Sequence, residues 1–380
     1  MPFKLFKRSD ETMVREKEIN TNLIELMQKH NVPAAGYAII DKYEIVLAKT
    51  LSTHAEIQAS QNSLFQACSL SKPITAYVAL LLQDTGEIDI DKPINSQLNT
   101  WHIPGGEHYD IINLRQCLSM TSGLTYGKPN STLPDYTQDM AIPELRDILN
   151  GTPPATNGPV TSSSIPGSAY AYSGAGFMIA QKLIEDVKNK SFRDVSHLKV
   201  FTPLGMNSST FACPLPEEMK KYVVPGFNAN SEMNHNGWYN IPSSASGGLW
   251  STPTDLAKFI LAISNAYRGK NNDLLSKQLA SEMLTQQKNT SFGLGFDIDG
   301  CNETLNFRKI GYNNGYCNQL IMFPNKGKGI VLMTNYASAQ NFIKEFFTFI
   351  ADLHQWPQYS SNFDEVRKKD PMIQTPSPRR

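Results

Sequence analysis

Apolar positions recur along the chain at two different periods. Between about Thr12 and His30, Ile19, Leu23, Ile24 and Met27 fall on one face of a helix, which Asn31 and Pro33 end. Two short β-rich runs follow, Ala34–Ile40 and Glu44–Thr50. Asp41, Lys42 and Tyr43 separate them, and the pattern predicts a hairpin. After Ser69, an apolar stripe of Ile74, Val78, Leu81 and Leu82 predicts a second helix, stopped by Gly86. Residues 86–150 read as shorter helical pieces and loops. Residues 152–168 are so dense in Pro, Ser, Thr and Gly that a loop is predicted. A helix is expected from near Tyr172, carrying Phe177, Ile179, Ala180, Leu183 and Ile184, and another over Thr254–Ala266. Three β runs then alternate with Gly/Asn-rich turns: Asn306–Ile310, Asn318–Phe323 and Gly329–Asn335. A strongly apolar helix follows, marked by Phe342, Ile343, Phe346, Phe347, Ile350 and Leu353.

Strands therefore sit at both ends and helices fill the middle. The expected class is α/β in the α+β sense: an antiparallel sheet built by N- and C-terminal segments, flanked by helices, with an inserted mostly helical region. The expected division is an extension over 1–15, a sheet region over 16–66 and 285–356, a mostly helical region over 67–284, and a tail over 357–380.

Composition narrows the class of partner. In 380 residues, 40% are hydrophobic and 18% charged, which is the balance of a globular protein. The 35 basic and 35 acidic residues cancel, whereas a nucleic-acid binder or a polybasic membrane protein carries a surplus. No apolar run approaches the ~20 residues that span a bilayer. The N-terminal stretch has basic clusters but no apolar h-region, so a cytoplasmic location is expected, with another export route left open. Five cysteines without a C-x-x-C spacing do not suggest a disulfide framework or a zinc site. Of the scattered histidines, His102 and His108 are closest, with Glu107 between them, and a plain surface loop is preferred to a metal site there. No metal and no cofactor are expected.

The segment that carries chemistry is FQACSLSKPITAYVALLL, with Ser69 and Lys72 three apart. At a helix start that spacing places both side chains on one face. A serine hydroxyl needs a neighbour to take its proton, and a lysine whose charge burial disfavours can do so. Positive potential at the helix N-terminus favours an anion forming on Ser69. Pro73 is tolerated only in a first turn, so the helix should start close to Ser69. Ser71 is a competing hydroxyl, but its spacing turns it away from Lys72.

Other segments occur in an order that resembles the serine β-lactamase-like hydrolases, on the branch of class C β-lactamases, D-alanyl-D-alanine carboxypeptidases and related carboxylesterases and D-amino-acid amidases. The resemblance covers about residues 20–350. FQACSLSK resembles the family's nucleophile segment. LRQCLSMTSGL (Leu114–Leu124) resembles a segment that usually has a histidine where Met120 stands. PGSAYAYSGAGF (Pro166–Phe177) resembles the Y-x-N segment and offers Tyr172. FTPLGMNSSTF and PSSASGGLWSTPTDLAKF resemble two structural signatures. RKIGYNNGY (Arg308–Tyr316) resembles the K-T-G strand and offers Lys309 and Gly311.

The resemblance implies a β-lactamase/transpeptidase-like fold and an acyl-enzyme on Ser69. Lys72 and Tyr172 would share the proton work. The backbone N–H groups of Ser69 and Tyr312 would form the oxyanion hole, Gly311 would let substrate approach, and Lys309 would place positive charge near a substrate carboxylate. One departure bears on substrate: Gly174 stands where the family has the Y-x-N asparagine, which in relatives contacts the lysine and the substrate amide. The leading expectation is a serine hydrolase of small ester or amide substrates. The alternatives are a true β-lactamase or D,D-peptidase, or a catalytically degenerate binding protein of the same fold. Retention of Ser69, Lys72, Tyr172 and Lys309 together argues against the last. The partner is a small ester, amide or peptide-like molecule, with no nucleic acid and no membrane span. The oligomeric state is not legible.

Overall fold

A computed structural model describes residues 10–105, 109–128, 133–270, 274–288, 290–357 and 359. The expected N-terminal extension up to residue 9, Glu107 and His108, and nearly all of the expected tail lie outside the described residues.

The two expected sheet segments meet. Strands β1 (Ala34–Asp41) and β2 (Glu44–Ser52) form the hairpin, and β3 (Asp297–Asp299), β4 (Asn306–Asn313), β5 (Tyr316–Phe323) and β6 (Lys328–Thr334) come from the C-terminal part. They make one antiparallel sheet in the order β2-β1-β6-β5-β4-β3. Its centre pairs the two ends of the sequence, Tyr37 with Leu332 and Ala38 with Val331.

Both faces are covered, which is why the strands read as nearly continuous apolar runs. On one face, Ala35, Tyr37, Ile39, Ile330 and Leu332 pack under helices α1 (Asp10–Lys29) and α5 (Gln340–Leu353) through Leu23, Met27, Phe342 and Phe346. On the other, Ala38, Ile40, Val331 and Met333 belong to the larger core, which holds α2 (Ser71–Asp84), α3 (Ala175–Lys188) and α4 (Pro253–Tyr267). The α4 helix starts where Thr252 accepts the Asp255 N–H and Pro253 fills the first helical position. Helix α2 is buried from Ser71 through Leu82 and forms the centre of the helical region.

Two local expectations change. The Pro/Ser-rich stretch 152–168 is not wholly loop: Val160–Ser162 pairs antiparallel with Leu124–Tyr126. Partner strands can rescue a segment whose own composition favours turns. The helix expected near Tyr172 begins at Ala175, so Tyr172 precedes it. No described helix is long and apolar enough to cross a membrane.

Candidate active site

The short strand Phe65–Gln66 pairs with Trp250–Ser251, and the backbone then reverses at Cys68, whose φ is +56°. That left-handed residue is a sterically costly feature held by its surroundings. The next residues form a 3₁₀ turn, Cys68–Leu70, that runs directly into α2. Ser69 therefore sits in the turn before the helix, with Pro73 in the first helical turn as expected. The Ser71 hydroxyl donates to Cys68 O at 2.6 Å and accepts the Leu249 N–H at 3.0 Å, so it braces the turn rather than competing for chemistry. The Cys68 thiol is no competitor either. It donates to Gln66 O at 3.1 Å, and burial pushes its pKa well above the usual thiol value.

Ser69 and Lys72 are 8% and 3% exposed, on one turn of chain. Lys72 Nζ donates to Ser69 Oγ at 3.0 Å and to the Ser246 carbonyl at 2.6 Å. Ser69 Oγ also lies 2.7 Å from the phenol oxygen of Tyr172. Tyr172 is held by Met120 from both sides in sequence: the Ala171 N–H donates to Met120 O at 2.8 Å, and the Ser173 N–H points at Met120 Sδ at 3.4 Å. A sulfur acceptor thus occupies the position where the resembling segments have a histidine.

Alternation along β4 places the remaining residues. Ile310 and Tyr312 join the core under α1 and α5, so Lys309 and Gly311 face the turn and the helical region. Lys309 is 3% exposed, its Nζ lying 5.2 Å from the centre of the Tyr172 ring and 4.9 Å from that of Phe292. Its carboxylate partner is Asp297, at 3.4 Å. Gly311 faces the turn so closely that a Cβ would stand 2.4 Å from Ala67 O and 3.1 Å from Cys68 Cβ. Tyr312 pairs with Cys317, whose carbonyl accepts from Thr334 Oγ1 in β6. The Tyr312 backbone groups consequently point away from β5, to the edge of β4 beyond the reach of β3.

The structure thus brings Ser69, Lys72, Tyr172, Lys309 and Gly311 together from three separate stretches of chain. Among the described residues, no group of three His, Cys, Asp or Glu side chains is placed to share a metal ion.

The sequence profile of the family described as "Beta-lactamase" matches residues 19–351. The chain belongs to the Beta-lactamase family. Penicillin-binding protein 4 of Amycolatopsis lactamdurans is 24% identical over 351 residues, covering 85% of this chain and 86% of that one. Teichoic acid D-alanine hydrolase of Staphylococcus aureus is 23% identical over 295 residues, covering 76% of this chain and 66% of that one. Among solved structures, the octameric penicillin-binding protein homologue from Pyrococcus abyssi superposes with a TM-score of 0.68 at 20% identity, over 94% of this chain and 79% of that chain. The D-stereospecific amidohydrolase from Streptomyces sp. gives 0.66 at 20% identity, over 86% and 98%. The chain is accordingly a hydrolase of the serine β-lactamase family.

Three participants in this Beta-lactamase-family site escape sequence reasoning. Ser246, through its carbonyl, and Asp297, through its carboxylate, each hold a site lysine. Ser246 lies in PSSASGGLWS, read from sequence as structural, and a backbone acceptor leaves no side-chain signature. The third is Tyr126. A Cβ at Gly174 would stand 3.1 Å from the Tyr126 hydroxyl and 3.3 Å from Ser246 Oγ, so a side chain at the family's asparagine position would press on these two groups.

Proposed function

We propose that the protein hydrolyses small esters or amides through an acyl-enzyme on Ser69. The observation that carries this reading is the double contact of one oxygen: Ser69 Oγ lies within hydrogen-bond distance of both Lys72 Nζ and Tyr172 OH. Ser69 Oγ attacks the acyl carbon, and its proton passes to Lys72 or Tyr172. The same pair returns a proton to the leaving group, and water then cleaves the ester on Ser69. Either group is close enough to be the base. The N–H groups of Ser69 and Tyr312 stabilise the oxyanion, consistent with the direction of the Tyr312 backbone.

Two observations favour a carboxylesterase or amidase over a β-lactamase or D,D-peptidase. Lys309, which would meet the carboxylate of a penicillin or a peptide terminus, is already compensated by Asp297. A β-carbon at 174 would already press on the Tyr126 hydroxyl at 3.1 Å and on Ser246 Oγ at 3.3 Å. The relatives' names, a D-alanine hydrolase and a D-stereospecific amidohydrolase among them, support ester and amide substrates of small acyl groups.

A fluorophosphonate probe is expected to label Ser69 and Ser69→Ala to lose both labelling and turnover. A panel of short p-nitrophenyl esters, a chromogenic cephalosporin and D-alanyl peptides then ranks the substrate classes. Full turnover in Ser69→Ala would end the assignment. Cephalosporin hydrolysis as fast as that of a short ester would favour the β-lactamase reading.

A further inference from the structure

Asn318 is a fully buried amide within β5. Burying an amide is costly unless its hydrogen bonds are made. Its carbonyl oxygen Oδ1 accepts the Thr334 N–H of β6 at 3.1 Å. Its nitrogen Nδ2 donates to the Gln66 carbonyl at 2.8 Å and to Cys68 Sγ at 3.4 Å. One side chain thus ties the end of β6 to the residues that lead into Ser69. The ladder partner of Asn318 is Gly311, which lies against the carbonyl of Ala67, the residue between Gln66 and Cys68. The turn therefore rests on two neighbouring strands: on β4 through backbone, and on β5 through this amide.

Cys68 needs such a hold. Its φ of +56° is left-handed, a region that glycine enters freely and a residue with a side chain enters at a cost. The Cys68 thiol closes a triangle, since it accepts from Asn318 and donates to the same Gln66 carbonyl at 3.1 Å. On the other side, the Ser71 hydroxyl donates to the Cys68 carbonyl at 2.6 Å. The peptide joining Cys68 to Ser69 is planar, so a backbone rotation at Cys68 swings the Ser69 N–H. The same rotation shifts Ser69 Oγ relative to Lys72 and Tyr172.

We propose that Asn318 is a positioning residue of this active site: its amide, bonded to Gln66 and Cys68, holds Cys68 in the left-handed conformation that aims the Ser69 N–H and hydroxyl. It acts on Ser69 through those two residues. The inference rests on the proposed role of Ser69.

The test uses the full-length protein. It follows the rate at which a fluorophosphonate labels Ser69, kcat and KM for a short p-nitrophenyl ester, and the thermal transition. Asn318→Ala removes the amide. Labelling and kcat are expected to fall about tenfold, the cost of a left-handed residue that has lost its hold. KM should stay within about twofold, because the misaligned groups act on the transition state. In a Cys68→Gly background the same substitution should cost less than about threefold in labelling, since glycine takes a positive φ without being held. The fall in Tm should be present in both backgrounds, because the buried Gln66 carbonyl and Thr334 N–H lose a partner either way. If Asn318→Ala loses its thermal transition, Cys68→Ala and Cys68→Gly read the hold from the turn. Both remove the sulfur, and Cys68→Ala should label about tenfold more slowly than Cys68→Gly. Wild-type kcat in Asn318→Ala, an equal loss of labelling in both backgrounds, or equal rates in the two Cys68 variants overturns the inference, while wild-type labelling at Ser69 leaves the proposed function standing. Failure of the wild-type protein to label at Ser69 overturns both.

Discussion

Gly311 lies against the carbonyl oxygen of Ala67, with no room for a β-carbon between them: one placed on Gly311 would stand 2.4 Å from that oxygen. The strand bearing Lys309 and Tyr312 thereby touches the turn bearing Ser69 backbone to backbone. Gly311→Ala must push the two apart. We expect a destabilisation of about 1–3 kcal/mol from overpacking, read as a lower Tm. We also expect a disproportionate loss of Ser69 labelling, on the order of a hundredfold, because a shift of about 1 Å is enough to spoil alignment. Labelling that falls no further than the folded fraction would show that β4 does not help to form the reacting site.

Lys72→Arg separates the two candidate bases. Guanidinium keeps its proton throughout the accessible pH range, so an arginine cannot accept one from Ser69. If Lys72 is the base, kcat/KM with a short ester should fall by about 10²–10⁴-fold, and the rising limb of its pH profile should disappear. A near-normal rate with the limb retained would assign the proton transfer to Tyr172.

Gly174→Asn is a direct test of how this chain departs from the Y-x-N pattern. Judged by the resemblance alone, restoring the asparagine would raise β-lactam or peptide turnover relative to ester turnover. The structure reverses that expectation, since the new side chain would enter the space of the Tyr126 hydroxyl and Ser246 Oγ. Activity toward all substrates should fall together. A selective gain with the cephalosporin would mean that the two hydroxyls move aside at little cost.

Away from the site, Lys182 and Asp186 form a nearly buried ion pair on α3, the two side chains being 11% and 4% exposed. Burial alone would push the Asp186 carboxyl up. Hydrogen bonds from Lys182, the Asn99 and Thr100 N–H groups and the Thr100 hydroxyl outweigh it and hold the pKa below the usual carboxylate value. A lowered folded-state pKa stabilises the protein above the unfolded value of about 4, and that stability is lost as pH falls through the folded value. Asp186→Asn should therefore lower Tm at pH 7, by the equivalent of about 2–4 kcal/mol, because Lys182 is left without its counter-charge. The difference from wild type should shrink below about pH 4. A Tm difference independent of pH would show that the cost is steric rather than electrostatic.

Much of this protein is written locally. The 3.6-residue stripe through Ile19, Leu23 and Met27, the two β runs around Lys42 and Tyr43, and the Ser69/Lys72 spacing all depend on near neighbours in sequence, so periodicity and spacing exposed them. The segments around Tyr172 and Lys309 were legible because whole stretches of residues resemble known ones. Three-dimensional packing decided the rest. A backbone carbonyl such as Ser246 O has no residue identity to read, although Lys72 depends on it. Asp297 becomes the partner of Lys309 only because β3 and β4 pair in a register that places Asp297 opposite Arg308, next to Lys309. The helix near Tyr172 starts three residues late because Met120 claims the Ala171 and Ser173 N–H groups, which local propensity could not foresee. Gly174 is the sharpest case. In the sequence it is a missing asparagine, and in the fold a side chain there would press on the hydroxyl of Tyr126, 48 residues earlier, and on Ser246 Oγ, 72 residues later. Sequence spacing specifies which groups share a helical face, but only the folded chain determines which distant groups a side chain at a given position would meet.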